Sequence, residues 1–448
     1  MLYREAGKTG HELSILGFGA MRLPILEGKP HLIDEPKAQA MLDYALRHGV
    51  NYFDTAYVYH SESPSRAGMS EVFLGRALKS HRQQVRLATK LPGWLVKSRA
   101  DMDRLLDEQL QRLQTSQIDF YLLHSLGAET WKNLRQLEVT AFLDAALADG
   151  RIKYAGFSFH DEAPLFKEIL QAYDWSFCQV QYNYMDERFQ AGRGGMELAA
   201  ARGLAVIVME PLRGGSLANR IPPDVQTLWR RANLTPVEGA LRFVWNHPAV
   251  SVALSGMSSL EHVVENVRLA ETGRPQSLTP QELNLIAEVR AIYQARTRVP
   301  CTSCGYCLPC PNGVAIPANF EQLNNIFIYN AREKAAFIYH HILAPEQRAS
   351  HCEECGQCED LCPQKIPVRA MLQEVMKELE PSAARKGQEG ELRDCPPVRP
   401  RSRKREQNRG QASLLRMPAG KSYMDSRFLR AGAAASDLSL PRPAQVHP

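Results

Sequence analysis

Residues 118–124 read IDFYLLH, an almost unbroken apolar run rich in β-branched and aromatic side chains. A strand wetted on one face alternates apolar and polar residues, whereas a run without alternation suits a strand buried on both faces of a parallel sheet. Seven more such runs flank it: SILGFG (14–19), VNYFDTA (50–56), VRLATK (85–90), KYAGFS (153–158), FCQVQYN (177–183), LAVIVME (204–210) and VSVALSG (250–256). Stretches of helical period lie between them. Residues 34–48 start at Asp34, place Pro36 in the first turn and stop at Gly49. Residues 100–114 align Met102, Leu105, Leu106, Leu110 and Leu113 on one face. Eight strand-then-helix units over roughly 270 residues predict an α/β fold of the (β/α)8, or TIM-barrel, type. A doubly wound sheet is the rival, but no G-x-G-x-x-G is present; in GFGAMR (17–22), Arg22 stands where the third glycine belongs.

The chain of 448 residues extends well past this barrel. LTPQELNLIAEVRAIYQART (278–297) predicts a closing helix, with Thr279 as N-cap and Pro280 at the first helical position, so the barrel spans 1–298. Residues 299–380 hold two cysteine runs separated by a helix-like stretch (318–343), predicting a small, mainly helical domain. Residues 381–448 are rich in Arg, Pro, Gly and Ala without periodicity and read as a disordered tail. That tail carries 14 Lys and Arg against 6 Asp and Glu, while the first 380 residues carry 40 against 43. The net charge of +5 therefore belongs to the tail. Lacking interleaved aromatics, the tail is not expected to bind nucleic acid or membrane. No run reaches the roughly 18 apolar residues of a membrane span. MLYREAGKTG has no apolar leader core, so a reducing cytoplasm is the expected location, where ten cysteines imply metal.

Eight of those cysteines fall in two runs. Cys301, Cys304, Cys307 and Cys310 form C-x2-C-x2-C-x2-C-P, and Cys352, Cys355, Cys358 and Cys362 form C-x2-C-x2-C-x3-C-P. The second is the bacterial ferredoxin pattern for a 4Fe–4S cluster, in which the fourth cysteine ligates the other cluster of a pair. That exchange assigns Cys301, Cys304, Cys307 and Cys362 to one cluster and Cys352, Cys355, Cys358 and Cys310 to the other. Structural zinc splits its ligands into two separated C-x2-C pairs and fits the spacing less well. The first run is one residue short of the standard spacing, so one cluster is more firmly indicated than two.

Four barrel residues stand at or just beyond strand C-termini, where this fold builds its active sites. They are Asp54, Tyr59, Lys90 and His124. Singly, an Asp–Lys pair reads as structural and a strand-end His as a satisfied hydrogen bonder. On consecutive units they compose a proton donor with its tuning groups. A phenol is a poor acid at neutral pH; the Lys90 ammonium would lower its pKa, Asp54 would hold that ammonium, and His124 would orient a carbonyl oxygen. Such a site suits protonating an alkoxide as hydride arrives at the adjacent carbon.

FDTAYVYH (53–60), SEVFLGRAL (70–78), ATK (88–90), IDFYLLH (118–124), GRIKYAGFS (150–158), EPL (210–212) and SGMSSLEHVVEN (255–266) together resemble the aldo/keto reductase family, in order and spacing, over residues 1–298. The cysteine domain is similar to the ferredoxin-like module fused to one subgroup of that family. The resemblance implies the tetrad Asp54, Tyr59, Lys90 and His124, with Tyr59 as general acid; Tyr57 is a second phenol, but the family spacing of five from the Asp selects Tyr59. It also implies a nicotinamide dinucleotide, NADP or NAD, held without a Rossmann fold. Gly19, Ala20 and Met21 would lie near the ring, Ser158 and Gln179 on its carboxamide, and Pro211 and Leu212 over the pyrophosphate. Ser255, Gly256 and Ser258 would lie by the phosphates and Asn266 by the adenine. This chain departs from the pattern at Phe159, Met209, Gly256 and His262; the last two replace the Lys and Arg with which NADP-preferring members grip the 2′-phosphate.

The expected activity is hydride transfer between NAD(P)H and a small carbonyl or alcohol substrate. The clusters would exchange electrons with a redox partner protein or serve as structure. Coupling hydride to single electrons calls for a mediator such as a flavin, for which no motif is visible. A non-enzymatic redox sensor or electron-transfer subunit is the alternative, and a complete tetrad argues against it.

Overall fold

Each of the eight apolar runs becomes one strand of a closed barrel. The computed structural model describes residues 1–63, 65–219 and 221–380; the predicted tail, 381–448, lies outside the described residues. After a short antiparallel hairpin, β1 (Tyr3–Glu5) with β2 (Glu12–Ser14), come β3 (Leu16–Gly19), β4 (Tyr52–Asp54), β5 (Arg86–Leu91) and β6 (Ile118–Leu126). They are followed by β7 (Ile152–Phe159), β8 (Phe177–Gln181), β9 (Ala205–Met209) and β10 (Val252–Ser255). All eight barrel strands pair in parallel in chain order, and β10 closes on β3. Sites at the C-terminal ends of β4, β5 and β6 thus arrive at one mouth.

The barrel interior is packed with Tyr52, Ala88, Phe120, Leu122, Phe177, Ala205, Ile207, Val252 and Leu254. Room for the Phe177 ring exists because residue 156 is glycine: a Cβ there would sit 2.4 Å from the ring. The hairpin floors the opposite end, adding Ala6 and Leu13 to this core, while the Lys8 N–H donates to the Gly203 carbonyl at 2.7 Å. Its three-residue strands are too short for periodicity to reveal.

The expected helices form with their caps. Glu35–Arg47 starts at Asp34, whose side chain accepts from the Lys37 N–H, and carries Pro36 in its first turn. Arg99–Arg112 buries Met102, Leu105 and Leu106. Pro280–Arg296 starts with a reciprocal capping box of Thr279 and Glu282. The helix-like stretch at 318–343 is broken. Ile316–Tyr329 stops at Asn330, in the left-handed conformation at φ 51°, and Arg332–Phe337 runs on into a π turn at Ile338–Ile342. The break lets the chain fold back and bury Ala335 and Tyr339 beside the helix Val368–Leu379. This second core runs from Val299 to Leu379 and includes Val314, Phe320, Leu323 and Leu372. Among the described residues no helix is long and apolar enough to cross a membrane.

Candidate active site

At the barrel mouth the Lys90 ammonium, wholly buried, donates to Asp54 Oδ1 and to the Thr55 carbonyl, both at 2.6 Å. Two acceptors offset the cost of burying this cation, and removing the Asp54 carboxylate would leave it buried without a counter-charge. The Lys90 Nζ lies 4.8 Å from the Tyr59 ring centroid, and the Tyr59 ring meets His124 edge-on, with centroids 6.0 Å apart. The four predicted residues are therefore brought together. Tyr57 points elsewhere: its hydroxyl donates to Glu108 on the outer helix Arg99–Arg112, and burial pushes its pKa up to about 12.

Two electrostatic directions bear on chemistry. Burial, followed by the Lys90 charge, holds His124 well below the usual imidazole range, so it is neutral. Tyr59 moves the other way from the expected lowering by Lys90: burial, then the nearby Tyr306, Asp54 and Glu210, holds the phenol well above its ordinary value. Lys90 stands over the Tyr59 ring, and desolvation of the phenolate dominates.

A cavity of about 400 Å3 opens beside this group. Asp54, Tyr59 and His124 line it, together with Gly19, Met21, Ser158, Gln179, Pro211, Leu212, Ser255, Gly256, Ser258 and Asn266. Two of the predicted residues stand back from it. Lys90 lies behind Asp54. Ala20 is buried, with its N–H on the Asp54 carbonyl and its own carbonyl accepting from Ser70 Oγ. Phe159 packs on Phe166, 5.1 Å between centroids, instead of facing the cavity. The cavity's donors and acceptors fit a nicotinamide dinucleotide. Gln179 Oε1 is buried without a partner, as an amide acceptor waiting for a carboxamide N–H would be. The Ser255–Ser259 turn leads into the helix Leu260–Leu269, whose N-terminus suits a phosphate. Asn266 Nδ2 donates to Ser255 Oγ at 2.9 Å, tying that turn to the helix.

Several residues that periodicity and motif leave unmarked also belong to this site. Arg22 lies alongside Gly256, where a Cβ would be 3.2 Å from Arg22 Cδ, and reaches the Thr302 carbonyl at 3.2 Å. Trp94 packs 5.1 Å from the His124 ring. Cys304, Tyr306, Pro363 and Gln364 also line the cavity, so both cysteine runs reach the barrel mouth. The Tyr306 hydroxyl is 3.2 Å from His124 Nε2. Periodicity and spacing carry no signal for a contact across 182 residues; only Arg22, already conspicuous in GFGAMR, was open to notice.

The cysteines of the two runs line two small cavities of the second module. Cys301, Cys304, Cys307 and Cys362 line a cavity of about 20 Å3. Cys310, Cys352, Cys355 and Cys358 line another of about 30 Å3, to which Cys307 also contributes. Burial raises the Cys304 thiol to about 12 and the Cys358 thiol to about 11. Thiolates in such surroundings need positive charge beside them, which iron supplies. The donor sets therefore fit cubane clusters. Among the described residues, no three metal-ligating side chains converge on a single point.

An eight-stranded parallel barrel with this tetrad, fused to a helical double-cysteine domain, defines a barrel oxidoreductase with an iron–sulfur module. Residues 15–291 match the aldo/keto reductase family and residues 300–366 match a 4Fe-4S dicluster domain, and the chain belongs to the aldo/keto reductase family. Aldo-keto reductase AKR11C1 from Bacillus halodurans, in its holo form, is similar with a TM-score of 0.54 and 30% identity, over 64% of this chain and 96% of that one. The oxidoreductase YqkF of Bacillus subtilis is 25% identical over 318 residues, 64% of this chain and 95% of its own length. The 6-dehydroglucose reductase of Novosphingobium aromaticivorans is 24% identical over 280 residues, 59% of this chain and 88% of its own.

Proposed function

We propose that the protein reduces a small carbonyl compound to an alcohol, and the reverse, with NADP or NAD, and carries two 4Fe–4S clusters. The observation that carries the reading is the convergence of Asp54, Tyr59 and His124 on one cavity that also presents Ser158, Gln179, Ser255 and Asn266. Bound reduced nicotinamide supplies the hydride. Tyr59 holds a proton at its hydroxyl and delivers it to the carbonyl oxygen as negative charge develops there. Neutral His124 donates to the same oxygen from Nε2 and orients it. Lys90, fixed by Asp54, places positive charge beside the phenolate that Tyr59 becomes. Arg22 offers a cation beside Gly256, which favours a phosphate there. Either dinucleotide suits the reading.

The barrel is taken as 1–298 and the cluster domain as 299–380, in keeping with a second core that begins at Val299. One cluster would use Cys301, Cys304, Cys307 and Cys362, the other Cys310, Cys352, Cys355 and Cys358. Thiolate-held clusters suit a reducing compartment, which we take to be the cytoplasm. Anaerobic purification with iron and sulfide counts, then an aldehyde and ketone screen with both cofactors, tests the reading. About eight irons per chain are expected for two cubanes. Tyr59→Phe is expected to slow reduction by about 10²–10⁴-fold. An undiminished rate in that variant would overturn the role of Tyr59.

A further inference from the structure

We propose that Tyr306, carried between Cys304 and Cys307, is an internal occupant of the carbonyl-oxygen position, so that the cluster loop gates the reductase site and substrate binds only by displacing it. The inference rests on the reading that Tyr59 and His124 together take the carbonyl oxygen. That oxygen has to accept from the Tyr59 hydroxyl while standing within hydrogen-bond reach of His124 Nε2. In the structure one phenol oxygen reaches that point: Tyr306 Oη is 3.2 Å from His124 Nε2, and its ring meets edge-on the same His124 ring that Tyr59 meets edge-on. Two oxygens cannot share that point, so closure by Tyr306 and substrate binding exclude each other.

The chain around Tyr306 is shaped to present it. Gly305, at φ +83° and with open space where a Cβ would be, turns the backbone between Cys304 and Tyr306. The ring then lies edge-on to Trp94 and His124, with centroids at 6.4 and 6.2 Å. Anchors on both sides hold the loop to the barrel. On one side the Thr302 carbonyl accepts from Arg22 and crowds Gly214, where a Cβ would fall 2.2 Å from that oxygen. On the other, the Pro363 carbonyl accepts from Gln190 at 2.7 Å. Cys304 and Cys307 belong to the set completed by Cys362, so whatever tightens those thiols about a cluster also fixes the phenol between them. The gate and the iron–sulfur loop are one piece of chain.

The test uses the full chain purified anaerobically with its clusters and loaded with oxidised cofactor. The probe is 4-nitrobenzoate, whose carboxylate oxygen imitates the carbonyl oxygen, followed by equilibrium dialysis. Tyr306→Phe keeps the ring and deletes the competing hydroxyl. Its Kd for the probe, and its KM for 4-nitrobenzaldehyde, are expected to fall about tenfold, the factor for a site closed about nine-tenths of the time. The kcat is expected to stay within about threefold. In the unsubstituted protein, hydrogen exchange across residues 301–307 is expected to rise when the probe binds, because the loop is pushed outward. This second measurement needs no variant to fold. An unchanged or weaker Kd in Tyr306→Phe, a kcat loss like that of Tyr59→Phe, or a loop that becomes more protected with probe would each overturn the gate. The underlying reading is tested separately: if Tyr59→Phe retains full reduction, the reading fails, whereas an inactive Tyr59→Phe with an unaltered Tyr306→Phe sinks the gate alone.

Discussion

The side-chain amides of Gln181 and Gln364 pair reciprocally, Gln364 Nε2 donating to Gln181 Oε1 at 2.9 Å and Gln181 Nε2 donating to Gln364 Oε1 at 3.3 Å. Both side chains are buried. Gln181 ends β8, and Gln364 follows Cys362 and Pro363, so this pair ties the barrel mouth to the second cysteine run. Gln181 Nε2 also reaches Asp186 at 2.9 Å, which fixes the orientation of its amide.

Gln364→Leu leaves the Gln181 carbonyl buried without a donor. A stability loss of about 1–3 kcal/mol is expected, the cost of one unsatisfied buried polar group. Gln181→Leu combined with Gln364→Leu is expected to recover part of that loss, since two apolar partners demand no hydrogen bond. Urea unfolding of the three chains, with midpoints and slopes compared, measures both effects; equal losses in the single and double variants would contradict the pairing.

The opposite shifts of His124 and Tyr59 fix the expected pH profile. Burial lowers His124, so its neutral form persists down to pH values where ordinary imidazoles charge. Burial raises Tyr59, so its proton is retained at pH values where ordinary phenols ionise. Both required forms then coexist from about pH 6 to about pH 9. Initial rates at constant ionic strength should show a kcat/KM for carbonyl reduction that is flat across this interval. A limb centred near the ordinary imidazole value would show that His124 changes charge in the working range.

Arg22 lies beside Gly256 and lines the same cavity. If it meets a cofactor phosphate there, Arg22→Ala removes a charge-assisted contact of about 1.5–3 kcal/mol, or about tenfold to hundredfold in Kd. Dinucleotide titrations are expected to show the larger loss for NADPH than for NADH, and Arg22→Lys to recover part of it. Equal and small changes for both cofactors would confine Arg22 to its contact with Thr302.

The barrel was legible because its information is local. Eight unalternating runs report strands buried on both faces, and Asp34, Thr279 and Glu282 mark helix starts through contacts only a few residues long. Cysteine spacing is local too, and both runs line small cavities of the second module. Asn330 interrupts an apolar pattern that continues past it, and the chain beyond buries Ala335 and Tyr339 in the second core instead of extending one helix.

That Tyr59 and His124 come to one mouth could be read from the chain alone, since strand ends of this fold reach the same mouth. Which groups face them from outside the barrel could not. Tyr306 meets His124 across 182 residues, and Gln364 meets Gln181 across 183, through side-chain contacts that leave no periodicity or spacing in the chain. Desolvation likewise belongs to the assembled mouth: Lys90 beside a phenol predicts a lowered pKa, and only the packed surroundings, which exclude water from Tyr59, reverse its direction. Strand order and metal-ligand spacing are properties of the chain, whereas contacts between its two packed modules and the dielectric they create arise only when those surfaces meet.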